Sequence, residues 1–151
     1  EFFHYLDKYD KIVRIDEDCY LESNYNDIFE TLEDNVAVYG AWVPDGDWVT
    51  KGLGEFTRKF MAQYNHIVNG NIKTPSGPYT NVIGFNLQKI RSNILLTNYI
   101  DSVKKSENIY IYRWGDLPLW GEALTNFFPK NFHKQVNDIK YFHGSHNKQV
   151  N

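Results

Sequence analysis

The sequence predicts an α/β fold, a sheet flanked by helices, and three observations carry the prediction. Short β-rich runs at residues 11–15, 36–42 and 79–87 alternate with stretches whose apolar residues recur at helical spacing. The first run ends in the acidic cluster Asp16-Glu17-Asp18, as a strand does when the sheet edge beyond it binds a ligand. The composition, 42% apolar with 4 Trp, 11 Tyr and 10 Phe in 151 residues, is enough to fill one core. Residues 1–151 are accordingly read as a single domain, or part of one.

Taken in order, Phe2, Phe3, Leu6 and Tyr9 predict an amphipathic opening helix ending near Asp10. Lys11-Ile12-Val13-Arg14-Ile15 is the first strand. Asn26-Asp27 caps a helix through Ile28, Phe29 and Leu32, and residues 36–42 form a second strand. Pro44-Asp45-Gly46-Asp47 is a turn, and apolar residues at 56, 60, 61, 64, 67 and 68 predict a helix. Residues 69–78, with two Pro and two Gly, read as a loop. Residues 79–87 are a strand, 87–105 a long helix and 108–112 another β-type run. Residues 117–128 are a helix with Asp116 as N-cap and Pro118 in its first turn. A last strand over 139–142 ends on His143.

Charge and cysteine content remove several functions. With 16 Lys/Arg against 19 Asp/Glu and no long basic run, the chain lacks the footprint of a nucleic-acid binder. The lone Cys19 rules out an intrachain disulfide framework and the Cys-rich zinc modules. No stretch reaches the roughly 18 apolar residues of a membrane span. The first residues also lack the pattern of a signal peptide.

Three motifs could carry chemistry. Asp16 and Asp18 point to the same side of an extended chain, and their hard oxygens suit Mn²⁺ or Mg²⁺ and, through the ion, a diphosphate; the alternative is a solvated acidic turn. An EF-hand is excluded because Leu21 stands where its glycine is required. Arg113-Trp114-Gly115-Asp116-Leu117-Pro118 places a guanidinium, an indole and a carboxylate on one tight turn, a set that can stack on a sugar ring and bond its hydroxyls. The alternative there is Trp114 in the core, Asp116 as a cap and Arg113 in a surface pair. His143 directly follows a strand and could meet the Asp-x-Asp at one sheet edge; His4, His66, His133 and His146 read as ordinary exposed histidines. Cys19 reads as a small buried residue rather than a nucleophile.

In this order the motifs resemble glycosyltransferase family 15, the manganese-dependent fungal α-1,2-mannosyltransferases of the GT-A fold. Residues 9–18 resemble that family's strand ending in Arg-x-Glu-Pro-Asp, with Asp16 for Glu and Glu17 for Pro. Residues 81–92 resemble its Ser-Asn-Phe-Glu-Ile…Arg-Ser segment. Arg113-Trp114-Gly115-Asp116-x-Pro118 matches its Arg-Trp-Gly-Asp-x-Pro, and His143 stands where it has a late metal-binding His. The resemblance implies a GT-A mixed, mostly parallel sheet whose N-terminal nucleotide-binding βαβ unit precedes this portion. It implies Mn²⁺ (or Mg²⁺) held by Asp16, Asp18 and His143, and Asp116 as the catalytic acceptor-side base. Arg14, Arg113, Trp114 and Asn81 would bind substrate, a GDP-mannose-like nucleotide-sugar donor and a glycan acceptor. If it extends to location, the compartment is the Golgi lumen.

Two departures bear on mechanism. The glutamate proposed as the family's nucleophile falls on Ile83, or within one residue of it on Val82, and a later His is Trp120 here. An apolar side chain cannot act as nucleophile, so front-face or inverting chemistry remains. Two other readings compete: a transferase-like domain that binds a glycan or partner without turnover, and a haloacid dehalogenase-type phosphatase, which Tyr20 and the lack of a later acidic pair disfavour.

Overall fold

The computed structural model describes residues 5–67, 69 and 74–144. In chain order the elements are β1 (Lys11–Ile15), β2 (Cys19–Leu21), α1 (Tyr25–Asp34), β3 (Ala37–Tyr39), β4 (Trp42–Pro44), α2 (Asp47–Thr50), α3 (Leu53–Ala62) and β5 (Ser76–Pro78). There follow β6 (Val82–Asn86), α4 (Leu87–Arg91), α5 (Ile94–Ser106), α6 (Asn108–Ile111), α7 (Asp116–Phe127), β7 (His133–Gln135) and β8 (Tyr141–His143). They fall into two compact units, one drawn from Glu1–Ala41, Tyr79–Ser92 and Asn131–Asn151, the other from Trp42–Pro78 and Asn93–Lys130.

The first unit is built on a four-stranded sheet in the order β1-β6-β3-β7. Its pairings are antiparallel on both sides of β6 and parallel between β3 and β7, so the mixed α/β class holds, with one parallel pairing of the three described. β6 is buried throughout because it lies between two strands and beneath α1. Ile28 and Leu32, one turn apart on α1, pack with Val38, Val82 and Ile139. Gly84 makes room for that helix: a Cβ there would stand 2.8 Å from Ile28 and 2.9 Å from Leu32. Asn86 ends the strand and starts α4, its side-chain Oδ1 accepting the Lys89 N–H at 3.1 Å while its Nδ2 donates to the Leu32 carbonyl at 2.9 Å. The cap of α1 is Asn24, which accepts the Asn26 N–H, two residues earlier than the expected Asn26-Asp27.

Several predicted elements take another form. The opening helix is represented by a 3₁₀ turn at residues 5–6, with Phe2, Phe3 and His4 outside the described residues. The strand expected over 36–42 breaks at Gly40: β3 joins the sheet, whereas β4 pairs with β5 in the second unit. The helix expected over 87–105 divides at Asn93, whose side chain caps α5 by accepting the Leu96 N–H at 2.9 Å. Residues 139–142 do not extend the main sheet. β8 instead forms a two-stranded antiparallel ribbon with β2, in which Cys19 faces His143.

In the second unit, a buried aromatic group of Phe60, Tyr99 and Phe127 lies among α3, α5 and α7. Part of the expected 69–78 loop is strand β5, because two glycines let it touch α7. A Cβ on Gly77 would collide with the Leu117 carbonyl, and one on Gly121 with the Ser76 carbonyl. The β-type run at 108–112 is helical: Glu107 takes a left-handed φ of 56°, and the N–H groups of Tyr110 and Ile111 bond back to its carbonyl. Its β-rich side chains have no strand to pair with among the described residues, and Tyr110 and Ile111 project outward. α7 begins with Gly115 as cap, one residue earlier than expected, so Asp116 is the first helical residue.

Candidate functional site

The turn from β1 to β2 carries Asp16-Glu17-Asp18, held by main-chain bonds from Asp16 N to Asn81 O (2.8 Å) and Cys19 N to Asp16 O (2.9 Å). Ile15, Asp16, Glu17 and Asp18 line a hollow of about 500 Å³. Arg14, two residues back on β1, donates to the Asp16 carboxylate at 2.8 Å. A second tie, Gly144 N to Asp18 O at 2.8 Å, fastens the end of β8 to this turn.

That register brings His143 to Asp18. Nε2 of the buried imidazole lies 3.1 Å from Asp18 Oδ2. Asn81 Nδ2 lies 3.0 Å from the same Nε2, and the Tyr79 hydroxyl is 3.4 Å from Nδ1. Asp18 Oδ1 accepts from the Cys19 thiol at 3.8 Å, and one donor atom from each of Asp18, Cys19 and His143 fits within 4.8 Å. The surroundings resist further negative charge. Burial pushes the Cys19 thiol pKa up, and the Asp18 and Asp16 charges add to this against an opposing hydrogen bond from Asn81. Burial, with Cys19, Asp16 and Asp18 nearby, raises Tyr79 in the same way; Tyr141 is pushed up to about 12, first by burial.

This donor set fits a divalent cation. The His143 Nε2 and the Asp18 carboxylate, 3.1 Å apart beside the hollow, are an imidazole and an oxygen donor that a divalent cation can share in place of a proton.

Of the residues expected to act together, His143 contacts both Asp18 and Asn81. Asp16 lines the same hollow but is engaged by Arg14 and lies outside the three-donor set. Arg113, Trp114 and Asp116 belong to the second unit. Trp114 is corrected from sugar platform to packing residue: it is 4% exposed, donates its indole N–H to the Lys51 carbonyl at 2.7 Å, and meets Phe56 edge-on at 5.2 Å. Its neighbours are the exposed Arg113, at a left-handed φ of 53°, and the exposed Asp116.

The exposed indole in this region is Trp48, 67% accessible, with the Arg113 guanidinium 5.5 Å from its ring centre. Trp48, Tyr79 and the Cys19 contact were all missed from sequence. A Trp two residues after the Asp45-Gly46 turn was the available signal for the first. Ile83 and Val82 are fully buried in β6 and present no group to a substrate. His133 is a structural residue, bonded to the Tyr39 hydroxyl, and His146 lies outside the described residues.

No family model matches the chain. It is 27% identical over 153 aligned residues to glycolipid 2-alpha-mannosyltransferase 2 of Candida albicans, an alignment covering 91% of this chain and 33% of the relative. Its fold matches that of the mannosyltransferase Ktr4p from S. cerevisiae with a TM-score of 0.80 at 23% identity, over 95% of this chain and 43% of that one. It also matches the Mn/GDP form of core-mannan synthase A from Aspergillus fumigatus, with a TM-score of 0.78 at 18% identity, over 92% and 43%. The chain thus spans about a third of the length of the Candida relative. No described helix is long and apolar enough to cross a membrane. Over 91% of its length this chain is similar in sequence to that Candida mannosyltransferase, and over 92–95% of it shares the fold of the two solved mannosyltransferase structures, in keeping with the resemblance its motifs carry.

Proposed function

We propose that the chain is the metal- and diphosphate-binding portion of a mannosyltransferase that takes a GDP-mannose-like donor and a glycan hydroxyl acceptor, its two units being parts of one GT-A domain. The observation that carries this reading is the contact between Asp18 and the buried His143, two residues far apart in sequence that meet beside an acidic hollow. The Candida relative is a 2-alpha-mannosyltransferase, and the Aspergillus structure is a Mn/GDP form. When bound, Mn²⁺ or Mg²⁺ supplies charge neutralisation for a leaving diphosphate.

The chain's own residues do the rest. Asp18 and His143 hold the ion, with Asp16 on the same hollow. Arg14 offers a guanidinium to phosphate oxygens, a planar donor suited to them. Asn81 and Tyr79 fix the His143 ring. Asp116, exposed in the first turn of α7, orients the acceptor hydroxyl and takes its proton. Arg113 binds substrate, and Trp114 acts indirectly by anchoring the turn that presents Arg113 and Asp116. Buried Ile83 excludes a covalent intermediate at that position, which favours front-face or inverting transfer.

The test is mannose transfer from GDP-mannose to a simple α-mannoside in Mn²⁺, alongside thermal melting with and without Mn²⁺. Wild type should transfer and should melt higher with the ion. Asp18→Ala should lose both, and Asp116→Asn should lose transfer while keeping the ion-dependent shift. Transfer unaffected by Asp18→Ala would overturn the proposal. An ion-dependent shift without transfer would support the second reading, a glycan- or partner-binding domain without turnover, which the buried Ile83 favours.

A further inference from the structure

We propose that Cys19 is a direct ligand in this metal site, so that the site takes a thiolate-tolerant ion, Zn²⁺ or Co²⁺, in preference to Mn²⁺ or Mg²⁺. The inference rests on the proposed role of Asp18 and His143 as metal ligands and adds a donor of a different class. Three observations support it. First, Cys19 and His143 are cross-strand partners in the β2–β8 ribbon, which places both side chains on one face.

Second, the three donors lie within reach of one small ion. Metal–ligand lengths of about 2.0 Å to oxygen, 2.05 Å to nitrogen and 2.3 Å to sulfur in a tetrahedron put oxygen about 3.3 Å from nitrogen and about 3.5 Å from sulfur. Here His143 Nε2 is 3.1 Å from Asp18 Oδ2, the thiol sulfur is 3.8 Å from the other carboxylate oxygen, Oδ1, and one donor atom from each residue lies within 4.8 Å of the other two, so side-chain rotation would gather them round one ion. Third, the donors are one oxygen, one nitrogen and one sulfur, with His143 buried and its other ring nitrogen backed by Tyr79. Hard ions gain little from sulfur, whereas borderline ions favour a thiolate beside imidazole.

Three protein ligands leave a fourth position for a water or a phosphate oxygen. On binding, the thiol S–H bond breaks, the sulfur lone pair forms the bond to the ion, and the proton passes to solvent.

The experiment titrates Zn²⁺, Co²⁺ and Mn²⁺ into the metal-free chain, reading thermal melting and, for Co²⁺, the near-ultraviolet absorption. Wild type should show a thiolate-to-cobalt charge-transfer band and should be stabilised by Zn²⁺ at lower concentration than by Mn²⁺. Cys19→Ser should remove the band and weaken Zn²⁺ on the order of 10- to 100-fold, at least the effect of losing an outer-shell partner. It should leave Mn²⁺ stabilisation in place through Asp18 and His143. Cys19→Ala serves as a second variant, and the metal-free melting temperature of each reports its folding. A band that persists in both variants, or Zn²⁺ stabilisation that both retain in full, overturns the inference. Mn²⁺ stabilisation with no thiol-dependent signal in wild type also overturns it while sparing the metal site. Failure of every ion to shift melting overturns both.

Discussion

Glu122 is a buried carboxyl whose protonation should govern the pH dependence of the second unit's stability. It lies on α7 with Thr57 of α3 as hydrogen-bond partner, and it accepts from the Asn126 amide at 3.3 Å; Thr57 also bonds the buried Tyr99 hydroxyl at 2.9 Å. No cation balances it in these contacts. Burial therefore raises its pKa from 4.5 to about 7, against a smaller lowering by Thr57. At roughly 1.4 kcal/mol per pH unit, that gap is worth about 3 kcal/mol.

The sign follows from the raised folded-state value. Stability is present in full below the unfolded pKa of 4.5 and is lost as pH rises through about 7, since the folded state then holds a desolvated charge. Glu122→Gln removes the titration and keeps the shape. In urea unfolding at a series of pH values, the variant should gain about 3 kcal/mol relative to wild type between pH 4.5 and 8. His133, whose pKa burial lowers, acts with opposite sign by costing stability as pH falls, but both proteins share it and the comparison cancels it. Parallel curves for the two proteins would refute the reasoning.

Two further outcomes test the packing. Gly121→Ala should destabilise by about 3 kcal/mol or more, because its Cβ would drive into the Ser76 carbonyl of β5, where backbone cannot give way; melting unchanged within error would contradict that close approach. Trp114→Phe should cost about 1–2 kcal/mol through the lost bond to the Lys51 carbonyl. Its Mn²⁺-dependent melting shift should stay intact, whereas a selective loss of that shift with stability unchanged would show Trp114 to be a ligand-facing residue.

What sequence could reveal followed the range of the interactions involved. β1, α1, β6 and α7 were legible because each carries its own periodicity and its own terminator, Asn86 being both the end of one element and the cap of the next. Residues 108–112 misled because β propensity needs a partner strand, and the left-handed Glu107 had already turned the chain into another helical turn. β5 was illegible for the opposite reason: its Gly and Pro look like loop, and only contact with Gly121 of α7 makes them strand. Asp18 and His143 were found by motif, but the arrangement expected for them, one edge of the main sheet, was replaced by a two-stranded antiparallel ribbon. Cys19 was read as a small buried residue because its meeting with His143 lies in the cross-strand register. Trp114 was overvalued because a Trp in a polar turn looks identical in sequence whether it faces solvent or Phe56.

The β2–β8 ribbon also dates the site within the life of the chain. His143 follows Asp18 by about 125 residues, so the contact that joins them is among the most non-local of the described residues and must await synthesis of β8. A nascent or clipped chain lacking Tyr141–His143 would carry the acidic turn without its imidazole. The ion-binding arrangement is thus withheld until the rest of the first unit has been made, and a single cleavage before β8 would be enough to disarm it.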